Sequence, residues 1–213
     1  MSKAFHYDPD RVNKTYYRLR PFGRFLVNFV FKKQVIGAEH IPQDGGFILA
    51  CNHVTAIDPV FLVSTCPREL HFMGKSSLFE KPFSRWFMTS MNGFPVDRGT
   101  ADMKSIRYAQ QLIERGHVLG IFPEGTRSKT GTPQRAKGGV AMIAKATKAD
   151  ILPVCVYFSE KPHFRSRLTI RYGEVIPYES LGLSEQEHSA QELRAAAAYV
   201  MERITDLWQQ KHA

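Results

Sequence analysis

The sequence predicts one α/β domain, built on a central, mostly parallel or mixed sheet flanked by helices, with a helical element in front of it. Three observations lead there. Strand-like and helix-like segments alternate along the chain without repeats or low-complexity tracts. The strand-like segments are short unbroken apolar runs, such as "GGFILAC", "VLGIF" and "ILPVCVYF", which suit strands buried on both faces. Polar, glycine-bearing motifs follow several of these runs, at the carboxyl ends of predicted strands, where α/β sheets gather their ligands.

The elements follow in order. "PFGRFLVNFVFKK" (21–33) sets Phe22, Phe25, Leu26, Phe29 and Val30 at helical spacing, with Pro21 suited to a first turn. The preceding stretch, 9–20, is only weakly helical. We place the division between the helical element and the main domain at residues 34 and 35, giving 1–34 and 35–213. "GGFILAC" (45–51) is a strand and "IDPVFLVST" the helix after it. "LHFMG" (70–74) is a second strand, followed by a helix over "SSLFEKPFSRWFMTSM"; its large apolar side chains are read as core. "GFPV" (93–96) is a strand, and "ADMKSIRYAQQLIERG" a helix with Ile106, Ala109, Leu112 and Ile113 on one face, closed by Gly116. "VLGIF" (118–122) leads into a loop, then a helix at "VAMIAKATK". "ILPVCVYF" and "RLTIRYGEVI" are later strands. The final helix opens on a capping box, Ser189 with Glu192, and lines Leu193, Ala197, Val200, Ile204 and Leu207 along one side.

The chain has 213 residues, 43% hydrophobic and 23% charged, a globular composition with enough apolar material for one sizeable core. Its 29 Lys and Arg against 20 Asp and Glu leave +9, which favours an anionic partner. Charge alone does not choose among nucleic acid, anionic lipid and an acidic substrate or carrier. Cys51, Cys66 and Cys155 sit in apolar runs without CxxC spacing, as buried residues of a reducing compartment do. The first twenty residues lack the apolar core of a signal peptide, and "FLVNFVF" is far short of the ~20 residues a membrane helix needs. The expected location is therefore the cytosol, or the cytosolic face of the cell membrane as a peripheral or monotopic protein.

Three clusters carry chemistry. In "LACNHVTAIDPVF", His53 and Asp58 span a strand-to-helix turn. An imidazole can accept a proton near neutral pH, and a carboxylate on its other nitrogen would fix its tautomer. Spacing alone leaves an alternative open, with His53 bonded locally and Asp58 capping a helix before Pro59. No G-x-S-x-G elbow supplies a serine nucleophile, and no cysteine adjoins a second histidine, so a His–Asp pair here would act on a substrate hydroxyl. The eight histidines show no metal-ligand spacing, and no metal centre is expected.

The second cluster, "FPEGTRSKTGTPQRAKGG" (122–139), mixes glycines with Arg127, Lys129, Arg135 and Lys137. It resembles a phosphate-holding loop, though not a Walker A loop, and a solvated basic loop remains the alternative. Glu124 stands out as an acid among bases, suited to orienting an arginine or a substrate hydroxyl. Arg98 in "PVDRG" occupies a comparable strand exit. Third, the phenylalanine stripe of 21–33, flanked by Arg18, Arg20, Arg24, Lys32 and Lys33, fits either a helix lying in an anionic membrane interface or one packed on its own domain.

In succession, "NHVTAID", "GFPVDRG", "FPEGTRS" and "ILPVCV" resemble the four blocks of the glycerolipid acyltransferases, especially the 1-acyl-sn-glycerol-3-phosphate (lysophosphatidate) acyltransferase family. The resemblance runs from about residue 35 to 175. It implies that His53 is the general base and Asp58 its orienting carboxylate, with Arg98, Glu124, Gly125, Thr126 and Arg127 on the glycerol phosphate. Asn52, Lys75, Lys137 and Gly138 are further candidate contacts, and Pro153 is structural. The sequence departs from the family's Lys-Glu-Leu after Lys75, having Ser76-Ser77-Leu78, which weakens the case for Lys75. The implied reaction moves a fatty acyl group from acyl-CoA or acyl carrier protein to the sn-2 hydroxyl of lysophosphatidate, without an acyl-enzyme or a resident cofactor. The partners are then a phospholipid surface, a lysophospholipid acceptor and the acyl donor. Two alternatives remain: another lysophospholipid or hydroxyl-bearing lipid as acceptor, and a non-catalytic anionic-lipid binder. Nucleic acid is disfavoured, because no binding motif appears and the basic residues gather around Glu124.

Overall fold

The computed structural model describes residues 5–97, 102–184 and 189–212. Seven strands form a single sheet: β1 (Lys32–Ile36), β2 (Phe47–Cys51), β3 (Leu70–Lys75), β4 (Gly93–Val96), β5 (Val118–Ile121), β6 (Ile151–Tyr157) and β7 (Arg167–Tyr172). The helices are α1 (Lys14–Val30), α2 (Asp58–Thr65), α3 (Pro82–Ser90), α4 (Met103–Glu114), α5 (Gly139–Thr147) and α6 (Ala190–Gln209). The strand order is β1-β7-β6-β2-β5-β3-β4. Strands β2 to β6 run parallel to one another, β7 runs antiparallel to β6, and β1 runs parallel to β7. The expected mixed, mostly parallel sheet is what forms.

Burial explains why the central strands are apolar throughout. Every residue of β2 and of β6 is buried. In β2, Phe47, Leu49 and Cys51 enter one core, while Ile48 and Ala50 enter the other. The first core lies under α1 and α2; the second packs against α4, α5 and α6. Two-sided packing of this kind needs hydrophobic side chains at both phases of the pleat. Cys51, Cys66 and Cys155 are buried and unbridged, as expected.

Several boundaries differ from expectation, each for a local reason. Helix α1 begins at Lys14, because the Asn13 side chain accepts from the Tyr16 N–H as a cap. Pro21 therefore sits inside the helix and not in its first turn. The segment "KKQVI", whose two lysines are expected to end the helix over 21–33, is strand β1, so the expected division at 34/35 falls within a strand. Its two apolar residues give little sequence signal, and pairing along β7 supplies what propensity does not. The helix expected over 76–91 is divided into a 3₁₀ turn, Ser76–Phe79, and α3. Pro82 takes the first position of α3, where its missing N–H costs nothing. In α6, Ser189 caps the Glu192 N–H as expected, and the Glu192 carboxylate accepts from the Ser184 hydroxyl.

Helix α1 has two working faces. Tyr16 and Val27 are buried, Arg20 donates to the carbonyls of Val63 and Cys66 at the end of α2, and Gly23 lies close to Val60. These residues recur at intervals of three and four, one stripe along the helix. The other side exposes Phe22, Phe25, Leu26 and Phe29. Of the α3 region, Phe79 is buried and Phe87 partly so, as the core reading requires, but Phe83 and Trp86 are exposed. No helix among the described residues is long and apolar enough to cross a membrane.

Candidate active site

The site grows from the register of the central strands. Ala50 of β2 pairs with Ile121 of β5, so the segments leaving the two strands run side by side. One carries Asn52 and His53; the other carries Phe122, Pro123 and Glu124. On the far side of β2, Cys51 pairs with Val154 of β6. Asn52 continues that ladder with its side chain: its amide donates to the Val156 carbonyl at 2.9 Å and accepts from the Val156 N–H at 2.8 Å. Asn52 is buried, with both ends of its amide engaged by β6. The sequence set it among the further candidate contacts; here its side chain binds β6 and ties the segment before His53 to that strand.

His53 and Asp58 meet. Nδ1 of His53 lies 2.7 Å from Oδ2 of Asp58. Asp58 is fully buried and also accepts from the Val54 N–H at 2.6 Å, the Thr55 N–H at 2.9 Å and the Thr55 hydroxyl at 2.7 Å. A carboxylate that gathers this many donors acts as an acceptor toward the ring as well, so Nδ1 carries the hydrogen. Nε2 is then the free lone pair, and the side chain remains partly open, with 18% exposure. The capping alternative does not form: Ile57 precedes α2 without a side-chain cap, and Asp58, its first residue, turns its carboxylate back to His53, Val54 and Thr55.

The loop after β5 builds the other wall. The His53 N–H donates to Oε1 of Glu124 at 2.8 Å, and the Ser128 N–H donates to the His53 carbonyl at 2.7 Å. The Phe122 ring stacks on the imidazole, centroids 4.1 Å apart and planes 21° from parallel. Glu124 is buried, and its Oε2 finds no hydrogen-bond partner among the described residues. Burial pushes its carboxyl up from the ordinary glutamate range, while the N–H and ring of His53 pull the other way. Gly125 turns the loop with φ of +67°, a conformation that favours glycine, and the Lys137 side chain packs over it. The Lys137 N–H donates to the Pro123 carbonyl at 2.9 Å, tying the two ends of the loop together.

Thr126, Arg127 and Lys137 are exposed on this loop, and Gly138 caps α5. Lys75 is exposed at the end of β3, beyond β5 from His53. Arg98 lies outside the described residues. Three residues that matter to this geometry were not singled out from the sequence: Thr55, which closes around Asp58, Ser128, which joins the two loops, and Phe122, which backs the imidazole. Each lies inside a quoted motif, so the motif marked the place while the packing assigned the part.

A family model described as Acyltransferase matches residues 32–157. The chain is 36% identical to the 1-acyl-sn-glycerol-3-phosphate acyltransferase of Bacillus subtilis over 121 residues, 56% of this chain and 60% of that protein. It is 33% identical to the protein of the same name from Borreliella burgdorferi over 165 residues, 72% of this chain and 64% of that one. The matched segments thus span less than two thirds of either relative. Among solved structures, the 1-acyl-sn-glycerophosphate acyltransferase of Thermotoga maritima superposes with a TM-score of 0.71 over 92% of this chain and 78% of that one. Identity there is 24%, and the likeness is one of fold. The family match covers more than half of the chain, from β1 to β6 and through both loops of the site, and on that basis the protein belongs to the acyltransferase family.

Proposed function

We propose that this chain is a lysophosphatidate acyltransferase, moving a fatty acyl group from an acyl thioester to the sn-2 hydroxyl of 1-acyl-glycerol 3-phosphate. The observation that carries the reading is the 2.7 Å contact of His53 with a buried Asp58, which leaves Nε2 open beside a loop bearing Arg127 and Lys137. Nε2 takes the hydroxyl proton as the acceptor oxygen attacks the thioester carbonyl carbon. The tetrahedral adduct collapses, the carbon–sulfur bond breaks, and the proton on Nε2 passes to the leaving thiolate. The products are phosphatidate and a free thiol, with no acyl-enzyme on the path. General-base help of this kind is worth about 10²–10⁴ in rate.

Arg127 and Lys137 supply charge for the acceptor phosphate, and Glu124 and Gly125 fix the loop that presents them. The acyl donor is coenzyme A or acyl carrier protein, whose negative charge suits the +9 of the chain. The exposed Phe22, Phe25, Leu26 and Phe29, together with Arg18, Arg24 and Lys32, support docking of α1 on the cytosolic leaflet as a peripheral or monotopic protein.

The test is an acyl-transfer assay with lysophosphatidate, with either donor, on the chain and on Arg127→Ala. The variant should raise KM for lysophosphatidate about tenfold or more, as loss of a charged contact worth ~1.5–3 kcal/mol implies, and leave KM for the donor nearly unchanged. Equal effects on both substrates, or faster turnover of an acceptor without the phosphate monoester, would refute the assignment.

A further inference from the structure

At the amino ends of the same strands, the opposite end from His53, three ligand-type side chains converge. Leu70 of β3 pairs with Val118 of β5, so Glu69 stands beside His117, and His71 follows two residues on from Glu69. With the side-chain period of two, all three share one face of the sheet. One donor atom from each lies within 4.8 Å of the other two. His71 is 5% exposed, and its Nε2 has no hydrogen-bond partner among the described residues. That nitrogen lies 3.9 Å from Oε1 of Glu69, and the two imidazole rings are 4.9 Å apart.

Glu69 is held in place as metal-binding carboxylates commonly are. Its Oε2 accepts from the Tyr17 hydroxyl and its Oε1 from the Asn92 amide at 2.7 Å, and each oxygen keeps a further lone pair. A cavity of about 320 Å³, walled by Glu69, His117, Asp10, Arg11 and Arg115, opens onto Glu69 and His117 and gives room for a water ligand on that side. Of the two arginines walling this cavity, Arg115 is paired with Asp10 at 2.6 Å.

We propose that Glu69, His71 and His117 bind a divalent transition-metal ion, with zinc as the first choice. Two imidazoles and one carboxylate suit zinc, whereas magnesium and calcium prefer shells of oxygen. Zinc bonds of about 2.0–2.1 Å put tetrahedral ligand atoms roughly 3.3 Å apart, so the ion draws the three side chains inward. Half-buried His117 is the one with freedom to move. The ion joins the starts of β3 and β5 and, through Tyr17, the first turns of α1. It takes no part in acyl transfer, being at the other end of the strands.

The experiment measures zinc per chain on the untagged protein, stripped with EDTA, reloaded with Zn²⁺ and freed of excess by gel filtration. About one zinc per chain is expected, with tetrahedral visible absorption when Co²⁺ replaces it. Melting temperature should rise by about 5–10 °C at a hundredfold excess of Zn²⁺ over Kd. His71 lies in the core, so its removal would test folding as much as binding; His117→Ala and Glu69→Gln are the informative variants. Both should lose the metal and the thermal shift while keeping their far-UV spectrum. His163→Ala, which removes an exposed histidine paired with Glu160, should keep both. Less than about a tenth of a zinc per chain, retention by His117→Ala, or an equal shift with Mg²⁺ would overturn the proposal.

Discussion

Asp58 and His53 touch, but they contribute different things, and substitution separates them. Removing the Asp58 carboxylate leaves the partly buried N–H groups of Val54 and Thr55 without their acceptor. Each such loss costs ~1–3 kcal/mol. Asp58→Ala should therefore lower both activity and the melting temperature, the latter by about 2–4 °C for every kcal/mol. Full activity in that variant would remove Asp58 from the mechanism. Glu124 behaves oppositely. Because burial raises its folded pKa, the native state holds the proton more tightly than the unfolded chain does. Its contribution to stability is thus present at low pH and declines as pH rises from the ordinary glutamate range through the raised value. Glu124→Gln keeps an acceptor for the His53 N–H and abolishes this decline, so urea midpoints of the two proteins should diverge with rising pH, the variant becoming relatively more stable. Parallel curves would show that the buried carboxylate carries no such strain.

Among the elements, α1 shows how far sequence reading reaches. The phenylalanine stripe was legible, since helical spacing survives in the order of residues. Its start was not, because the Asn13 cap and the Arg20 contacts with α2 outweigh the weak signal of the first turns. Strand β1 was missed for the same reason, because "KKQVI" becomes a strand only beside β7. With one stripe seated on α2, the outward phenylalanines are free for an interface. Phe25→Asp with Phe29→Asp should leave the melting temperature within a few degrees and weaken binding to anionic phospholipid vesicles. Burying one phenylalanine is worth ~1.5–3 kcal/mol, so each loss should cost about tenfold or more in partition. Unchanged vesicle binding would move the docking surface elsewhere, with the exposed Phe83 and Trp86 of α3 the first place to look.

For the molecule as a whole, the sheet order decides what meets what. The His53–Asp58 pair was legible because both residues lie within a single turn, and because the later motifs occur in family order. Pairing of β2 with β5 then sets "NHVTAID" against "FPEGTRS", so two distant motifs share hydrogen bonds through His53, Glu124 and Ser128. The Glu69–His71–His117 group was not legible, since His71 and His117 are 46 positions apart and only the β3–β5 register brings them together. The same parallel strands thus carry the His53–Asp58 pair at one end and the Glu69–His71–His117 group at the other.

In the proposed reaction His53 activates a hydroxyl of the lipid, and no protein side chain accepts the acyl group. The direct measurement is the rate of phosphatidate formation from lysophosphatidate and acyl thioester by the native chain and by His53→Ala at equal folded concentration. A fall of about 10² or more is expected, with the melting temperature little changed and no labelled acyl group left on the protein. A rate within a few-fold of the native one, or an acylated protein that forms and decays at the turnover rate, would contradict it.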